Sequence, residues 1–170
     1  MTEWIDVLSE SGEATGRIKA KPDVHRDGDW HRAAHLWIAT RDRRVLLQRR
    51  ADTKESWPSL WDISVAGHVN AGENARDAAV RETFEELGLS IDANDFAHLG
   101  TLRYQAVLNG GAYRENEFHE VFFVRREVEL ASLRLDAAEV AEVALVRLEE
   151  LDRFELVPHP ESYSLLRHAL

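Results

Sequence analysis

Cysteine is absent from this chain, and so is any long apolar run. Without cysteine the protein has no disulfide, no thiolate nucleophile and no cysteine metal site. Without an apolar run of about 20 residues there is no candidate membrane span, and the acidic opening Met1-Thr2-Glu3-Trp4 lacks the pattern of a signal peptide. These absences predict a cytoplasmic protein with no membrane partner.

Basic charge is also in short supply. Lysine and arginine number 21 against 31 aspartates and glutamates, which gives a formal net charge of −10. Proteins that bind nucleic acid non-specifically need a basic surface to neutralise phosphates, so this balance argues against a nucleic-acid partner, capped RNA included. One basic run, residues 41–50, fits either a solvated hairpin or a phosphate-binding segment.

The remaining composition is that of a globular domain. The chain has 170 residues, of which 44% are hydrophobic and 31% charged, and no linker or repeat interrupts it. This length allows a substantial core, and we predict a single domain spanning residues 1–170. Alternating apolar runs and turn signals predict a hairpin near the N-terminus, strands at 31–40, 45–48, 62–66, 99–108, 118–124 and 140–148, and helical segments at 149–154 and 161–170. The order indicates an α+β fold with an antiparallel component.

Residues 67–89 are the most informative segment. Glu82, Glu85 and Glu86 stand at i, i+3 and i+4, so a helix places them in one narrow sector. Such carboxylates repel one another, and a hard divalent cation such as Mg²⁺ removes the repulsion and bridges to phosphate oxygens. Asn74 is the predicted N-cap of this helix and Gly88 its left-handed stop.

The opposite side of the same helix is predicted to be its packing face. Val80, Phe84 and Leu87 recur at i, i+4 and i+7, which is the spacing of an apolar stripe. Ala75 and Ala78 fall on the acidic face, where small side chains are expected to leave room for a ligand. An ordinary amphipathic surface helix has the same spacing, so the surrounding residues must decide between the two interpretations.

Those residues match the Nudix box, Gly-x5-Glu-x7-Arg-Glu-U-x-Glu-Glu-x-Gly-U, in which U is a bulky aliphatic residue. The matching positions are Gly67, Glu73, Arg81, Glu82, Glu85, Glu86, Gly88 and Leu89. Thr83 departs from the pattern, since an aliphatic residue is usual there. Seven fixed identities at fixed spacing are a specific signal. The chain therefore resembles the Nudix hydrolase superfamily, which implies an α/β/α sandwich with the box as a loop-helix-loop against a mixed sheet.

Segments covering most of residues 4–124 resemble one branch of that superfamily, the isopentenyl-diphosphate isomerase-like hydrolases. Isomerases of this type hold a metal with three histidines and two glutamates, and the residues here that resemble them are His25, His31, His68, Glu115 and Glu117. Two other interpretations stay open. The histidines also fit a polar cluster without a metal, and the two glutamates fit a charged strand edge.

The resemblance extends to substrate positions but breaks at one catalytic position. Lys21, Arg50 and Lys54 resemble diphosphate-binding residues, and Tyr104 resembles an assisting tyrosine. The catalytic cysteine of the isomerases is replaced by Ala66, so one of the two groups needed to protonate and deprotonate an allylic carbon is missing. A complete box without this cysteine points to hydrolysis.

The resemblance thus implies a Mg²⁺-dependent pyrophosphohydrolase, with Mn²⁺ as the alternative ion. Its substrate would be a nucleoside di- or triphosphate or another nucleoside diphosphate derivative, attacked at phosphorus by a metal-activated water. The predicted metal ligands are the side chains of Glu82, Glu85 and Glu86 and the carbonyl of Gly67. Arg81 and Glu73 are predicted to hold these glutamates in place.

The general base is the least determined role. Glu85 in the box and Glu117 or Glu120 on a later strand are all candidates, and Glu82 belongs to the same catalytic set. Isomerase-like activity and a non-catalytic nucleotide sensor are the alternative functions. The sequence leaves open the base preference, the phosphorus attacked and the formation of a homodimer.

Overall fold

The computed structural model describes all 170 residues as nine strands and three α-helices, joined by short 3₁₀ turns. The strands are β1 (Trp4–Leu8), β2 (Ala14–Ala20), β3 (His31–Ala39), β4 (Arg44–Arg50), β5 (Trp61–Asp62), β6 (Val65–His68), β7 (Ala97–Leu108), β8 (Tyr113–Arg125) and β9 (Val140–Arg147). The α-helices are α1 (Lys21–Asp27), α2 (Ala75–Leu87) and α3 (Pro160–Ala169). None of them is both long enough and apolar enough to span a membrane.

Seven of the strands form one mixed sheet in the order β5-β4-β3-β8-β7, with β6 also paired to β3 and β9 to β4. The β3–β8 pair is parallel and the other pairs are antiparallel. Strands β1 and β2 form a separate antiparallel hairpin, as the sequence predicts. The buried strands are rich in branched apolar residues, which suits a sheet covered on both faces.

The two faces of the sheet carry separate apolar clusters. Alternate residues of β3 point to opposite faces, so Leu36 and Ile38 pack toward α2 while Trp37 packs toward α3. Leu87 of α2 and Leu166 of α3 are both fully buried in these clusters. The α/β/α sandwich with its mixed sheet is therefore confirmed.

The sheet opens between β3 and β4, and this opening positions the functional site. The two strands pair only at Ala39 and Val45. Beyond that point β6 pairs with β3, and β5 pairs with β4. Ser64 lies in the gap, where its hydroxyl accepts from the amide of Ile38 and donates to the carbonyl of Leu46. The diverging strand ends thus leave a space that side chains from several elements can line.

Outside the box, one expectation is wrong and one helix has no counterpart among the predictions. The single strand predicted at 62–66 is two short strands, β5 and β6. The chain pairs with β4 at β5, crosses over at residues 63–64 and then pairs with β3 at β6. Helix α1 was not predicted, since Pro22 and a length of seven residues give little periodicity to read. The helical prediction at 149–154 corresponds to a 3₁₀ segment, Leu148–Arg153, and that at 161–170 to α3.

Helix α2 begins and ends where the sequence predicts. The Asn74 side chain accepts a hydrogen bond from the Asp77 amide, and Gly88 has a φ of 66°, in the left-handed region that glycine adopts without strain.

The packing faces of α2 differ from the prediction. Ala75 and Ala78 lie in the core rather than beside a ligand, whereas Phe84 is 54% exposed. The helix is rotated so that the side bearing Glu82 and Glu86 faces inward, toward the gap in the sheet.

Candidate active site

A cavity of about 700 Å³ lies in the gap between β3 and β4, bounded by α2 and by the loop that follows β4. It brings together most of the residues singled out from the sequence, namely Lys21, Arg50, Lys54, Gly67, His68, Glu82, Glu85, Glu86, Glu115 and Glu117. Ten carboxylate side chains line it against three basic ones. A diphosphate would therefore be repelled from this cavity unless cations accompanied it.

The carboxylates of α2 stand at one end of the cavity. Glu82 and Glu86 are only 8% and 4% exposed, whereas Glu85 is exposed. Burial raises the pKa of Glu82 to about 7, although the neighbouring Arg81 opposes the shift. Burial and the charge of Glu82 raise the pKa of Glu86 well above its usual range. These oxygens are the donor type that Mg²⁺ prefers, and a cation would stabilise their charged forms.

Gly67 allows Glu82 to occupy its place. A Cβ atom on Gly67 would lie 2.1 Å from the carboxyl carbon of Glu82, far inside van der Waals contact. Only glycine leaves room here for the carboxylate beside the backbone. Its position next to Glu82 also suits the predicted contribution of the Gly67 carbonyl to a metal site.

Arg81 joins the loop of the box to its helix. The guanidinium donates from Nε to Glu73 Oε1 at 3.0 Å, and from Nη1 to Glu82 Oε1 at 2.7 Å and Glu85 Oε2 at 3.2 Å. It also donates from Nη2 to the carbonyl of His68 at 2.9 Å. The contacts are those needed for the predicted holding role of Arg81 and Glu73, because one cation orients two glutamates and the preceding loop.

Histidines form a second group of potential metal ligands. One ligand atom from each of His25, His31, His68 and Glu117 lies within 4.8 Å of the others. His25 Nε2 is 3.0 Å from His68 Nε2, and His31 Nε2 is 3.2 Å from Glu117 Oε1. The Nδ1 atoms of His25 and His31 face the carbonyls of Arg114 and Asp29, which turns both Nε2 atoms inward.

The protonation of this cluster suits a metal. Burial and the neighbouring His31 lower the pKa of His25 to about 4, and burial lowers that of His68 well below its usual value. Burial opposes the charged form of His31, but the hydrogen bond and the charge of Glu117 outweigh it and raise the pKa. The neutral imidazoles of His25 and His68 next to the Glu117 carboxylate fit a borderline cation such as Zn²⁺ or Mn²⁺, and His31 would have to give up its proton to join them. The donor set therefore fits a second cation.

The three basic residues that resemble diphosphate-binding positions face the cavity with acidic partners. Lys21 Nζ donates to Glu3 Oε2 at 2.6 Å, and Lys54 pairs with Glu139. Arg50 donates to Asp62 Oδ2 at 3.2 Å, and its other nitrogens donate to the carbonyl and the hydroxyl of Ser56. Of the basic run at 41–50, only Arg50 lines the cavity.

Glu120 and Tyr104 do not line this cavity. Glu120 lies on the face of β8 opposite Glu117, because the two positions differ by an odd number of residues along a strand. Its Oε2 is 2.8 Å from His98 Nε2 and accepts from Thr101 Oγ1. Tyr104 lines an adjoining cavity of about 470 Å³. The structure thus places Glu120, one of the candidate bases, outside the lining of this cavity.

Three buried histidines next to the site escaped the sequence analysis. The rings of His35 and His119 are 3.9 Å apart, and His159 lies 5.2 Å and 5.3 Å from them. His159 Nε2 is also 3.6 Å from Asp62 Oδ1, which lines the same cavity. A partial signal existed, because His31 and His35 share a strand face, as do Glu117 and His119. His159 follows no such pattern.

Comparison with known proteins places these features in a family. The sequence model of the NUDIX domain matches residues 29–166. The chain is 42% identical over 155 residues to "Nudix hydrolase 3" of Arabidopsis thaliana, and the match covers 89% of this chain but 20% of that protein. It is 41% identical over 152 residues to an isopentenyl-diphosphate Delta-isomerase of Cutibacterium acnes, covering 88% of this chain and 76% of that one.

A solved structure from Deinococcus radiodurans has the same fold. It superposes with a TM-score of 0.73 at 21% sequence identity, and the match covers 98% of each chain.

Proposed function

The chain belongs to the Nudix family, whose hydrolases act on phosphoric anhydride bonds, and on that premise we propose that it is a Mg²⁺-dependent pyrophosphohydrolase. The proposed substrate is a nucleoside di- or triphosphate or another nucleoside diphosphate derivative. Mn²⁺ is the alternative ion. The matched region is only about one fifth of the plant protein, so the activity of that whole protein does not define the activity of this chain.

The observation that carries the proposal is the buried carboxylate pair of α2 beside Gly67. Glu82 and Glu86 are held inside a cavity where burial and mutual repulsion disfavour their charged forms. A structural role alone would favour neutral side chains at these positions. A cation bound by these oxygens explains why charged groups are kept there.

The chain's residues divide the work between binding and orientation. Glu82, Glu85 and Glu86 with the Gly67 carbonyl would hold Mg²⁺, which when bound neutralises phosphate charge and lowers the pKa of a water molecule. Arg81 orients Glu82 and Glu85, and Glu73 in turn fixes Arg81. Lys21, Arg50 and Lys54 would bind phosphate oxygens by exchanging their present partners for the substrate.

Glu85 is the better candidate for the general base. It lines the cavity and is the most exposed of the three α2 glutamates, so a water molecule can reach it. Glu117 is less suited, since its oxygens face His31, His68 and His119. Burial opposes the charged form of Glu117, but these hydrogen bonds outweigh it and hold the pKa well below the usual range. A carboxylate with so low a pKa is a weak base.

Isomerase-like activity is the second candidate, favoured by the histidine cluster and by the identity to the Cutibacterium protein. The methyl group of Ala66 lines the cavity where a proton-transferring side chain would be needed. No cysteine elsewhere in the chain replaces it. Hydrolysis requires only the water and the base already described, so it accounts better for the residues present.

The test is product release from a panel of phosphoric anhydrides. The panel contains nucleoside di- and triphosphates, nucleotide sugars, dinucleoside polyphosphates and isopentenyl diphosphate, each with Mg²⁺, with Mn²⁺ and with chelator. We expect metal-dependent release of a nucleoside monophosphate from at least one class. Tight nucleotide binding without any release would favour a sensor, and conversion of isopentenyl diphosphate without phosphate release would favour an isomerase.

A further inference from the structure

Glu115 is the fifth residue that resembles a metal ligand of the isomerases, and the structure does not place it with the other four. One ligand atom from each of His25, His31, His68 and Glu117 lies within 4.8 Å of the others, and Glu115 is not part of this group. It is nevertheless a neighbour, because positions 115 and 117 share one face of β8 and both side chains line the acidic cavity. The contacts of the Glu115 carboxylate explain why it lies apart.

The contact that holds Glu115 comes from Trp57, in the loop between β4 and β5. Trp57 Nε1 donates to Glu115 Oε2 at 3.2 Å, and both side chains line the cavity. Glu115 is only 7% exposed, so few water molecules compete for its oxygens and the bond to the indole is stronger than it would be at the surface. An indole has one N–H donor and no acceptor, so Trp57 can hold a carboxylate but cannot itself bind a cation.

The backbone of the loop keeps the indole in its place. Trp57 and Ser59 have φ angles of 48° and 64°, in the left-handed region that residues with side chains rarely adopt. Such a conformation persists only where surrounding contacts fix it. Arg50 supplies two of these contacts, from Nε to the carbonyl of Ser56 at 3.0 Å and from Nη2 to the Ser56 hydroxyl at 2.9 Å. A fixed indole gives the Glu115 carboxylate a fixed position.

The position of Glu115 affects how a cation in the histidine cluster would be bound. The number of protein ligands decides how much of a cation stays accessible to water or to a phosphate oxygen, and an open position distinguishes catalytic from structural sites. While Trp57 holds Glu115, the protein supplies one ligand fewer. The indole therefore favours an open site over a closed one.

We propose that Trp57 is a positioning residue that holds Glu115 out of the histidine cluster, so that a cation there is bound by the other four residues alone. Glu115 thereby differs from the metal ligand that the resemblance implies. Trp57 has this role whether or not the protein hydrolyses anhydrides, so the inference goes beyond the proposed function.

Co²⁺ binding measures the role of Trp57 without any substrate. The chain, freed of metal by chelator, would be titrated with Co²⁺ while excess Mg²⁺ competes for the carboxylates of α2. The visible spectrum of bound Co²⁺ reports the number and type of its ligands. Trp57→Phe removes the N–H donor and keeps a ring. We expect this variant to bind Co²⁺ roughly tenfold more tightly, with a changed spectrum, because Glu115 no longer loses a charge-assisted hydrogen bond when it joins the cluster.

Glu115→Gln shows whether Trp57 acts through Glu115. Alone, this change should leave the Co²⁺ affinity as in the wild type, because Glu115 is not a ligand there. Combined with Trp57→Phe, it should abolish the gain in affinity and restore the wild-type spectrum. Trp61→Phe is the matched control, since the Trp61 ring packs on Phe154 and does not line the cavity. This control should bind Co²⁺ as the wild type does.

The opposite result has a distinct signature. Weaker Co²⁺ binding by both Trp57→Phe and Glu115→Gln would show that Trp57 orients Glu115 toward the cation, and would overturn the proposal. An unchanged affinity in Trp57→Phe would overturn it too, as would a gain that persists in the double variant. His31→Gln should abolish the Co²⁺ spectrum, and retention of the spectrum would reject the histidine cluster as the binding site. A negative hydrolysis panel leaves all of these outcomes unchanged.

Discussion

Two groups of potential metal ligands meet at the same cavity, which the three α2 glutamates, His68 and Glu117 line, and the two groups are built in opposite ways. The carboxylates Glu82, Glu85 and Glu86 come from one helix and consist of oxygen donors only. The cluster of His25, His31, His68 and Glu117 comes from α1, β3, β6 and β8 and is mostly imidazole. One group suits a hard cation and the other a borderline one.

The two groups also differ in protonation when no cation is bound. Carboxylates repel one another when ionised, so the buried glutamates shift toward their protonated forms. Neutral imidazoles do not repel, and burial shifts His25 and His68 toward the neutral form that a metal needs. A cation would therefore favour the charged forms of Glu82 and Glu86, whereas His25 and His68 are held in the neutral form that binds one. The two groups should respond differently to mutation and to pH.

The largest expected contrast is in catalysis. Glu85→Gln and Glu86→Gln should each reduce Mg²⁺-dependent hydrolysis by roughly 10²- to 10³-fold, since each removes a charged ligand while keeping the side-chain volume. His31→Gln should reduce it by about tenfold or less, as expected for a group outside the Mg²⁺ site. Turnover on the preferred panel substrate measures both effects.

Glu142→Gln, on an exposed residue of β9, is the matched control. Circular dichroism spectra would check that each variant keeps the fold. Near-normal activity in both box variants would reject the metal assignment, and a loss in His31→Gln as large as in Glu86→Gln would erase the distinction between the groups.

The next contrast is acid sensitivity of the histidine cluster. The pKa of His25 is lowered to about 4 in the folded protein from an ordinary value of 6.5. The unfolded chain therefore binds the proton more readily, and the stability contributed by the neutral ring is present above pH 6.5 and lost as pH falls toward 4. The full shift corresponds to about 3 kcal/mol of unfolding free energy.

Urea unfolding with chelator at several pH values, for the wild type and for His25→Gln, measures this loss. The wild type should lose stability relative to the variant on acidification, because the variant has no ring to protonate. Parallel pH profiles for the two proteins would show that His25 is not held neutral by the fold.

The smallest contrast concerns Glu82, whose contribution to stability is lost as pH rises rather than as pH falls. Its folded pKa, about 7, is raised above the ordinary 4.5, so its stabilising contribution is present below pH 4.5 and lost as pH rises through 7. Glu82→Gln should therefore gain roughly 1–3 kcal/mol over the wild type at pH 8 without a cation. Added Mg²⁺ should raise the melting temperature of the wild type more at pH 8 than at pH 5.

Differential scanning fluorimetry over a Mg²⁺ series at the two pH values measures this shift. The variant should show a much smaller Mg²⁺ effect than the wild type at pH 8. An equal Mg²⁺ effect in both proteins would indicate that Glu82 takes no part in holding the cation.

The comparison of the two groups also explains which structural features the sequence could predict. The box helix could be located to the residue, because helical spacing, the Asn74 cap and the Gly88 stop are local properties of consecutive residues. Which face of the helix is buried could not be predicted in this way. Phe84 was expected in the core and Ala78 beside a ligand, but packing against the sheet reversed them. Periodicity shows which residues share a face, whereas burial depends on what the helix meets.

The histidine cluster illustrates the other limit. The resemblance points to His25, His31 and His68, but the residues alone fit a polar cluster as well as a metal site. The convergence of their ring nitrogens with Glu117 appears only once α1, β3, β6 and β8 are assembled. Glu120, three residues from Glu117, is a catalytic candidate by sequence, but the strand places it on the other face of the sheet.

The sequence by itself determined the family pattern, the box helix and its ends, and the absence of cysteine chemistry, since these depend on residue type and short-range spacing. The tertiary structure alone decided the divergence of β3 and β4, the cavity within it, and the ring-lined cavity beside it. His35, His119 and Tyr104 come from three different strands, and His159 immediately precedes α3. Their contacts depend on long-range strand register and helix docking, for which no local pattern exists.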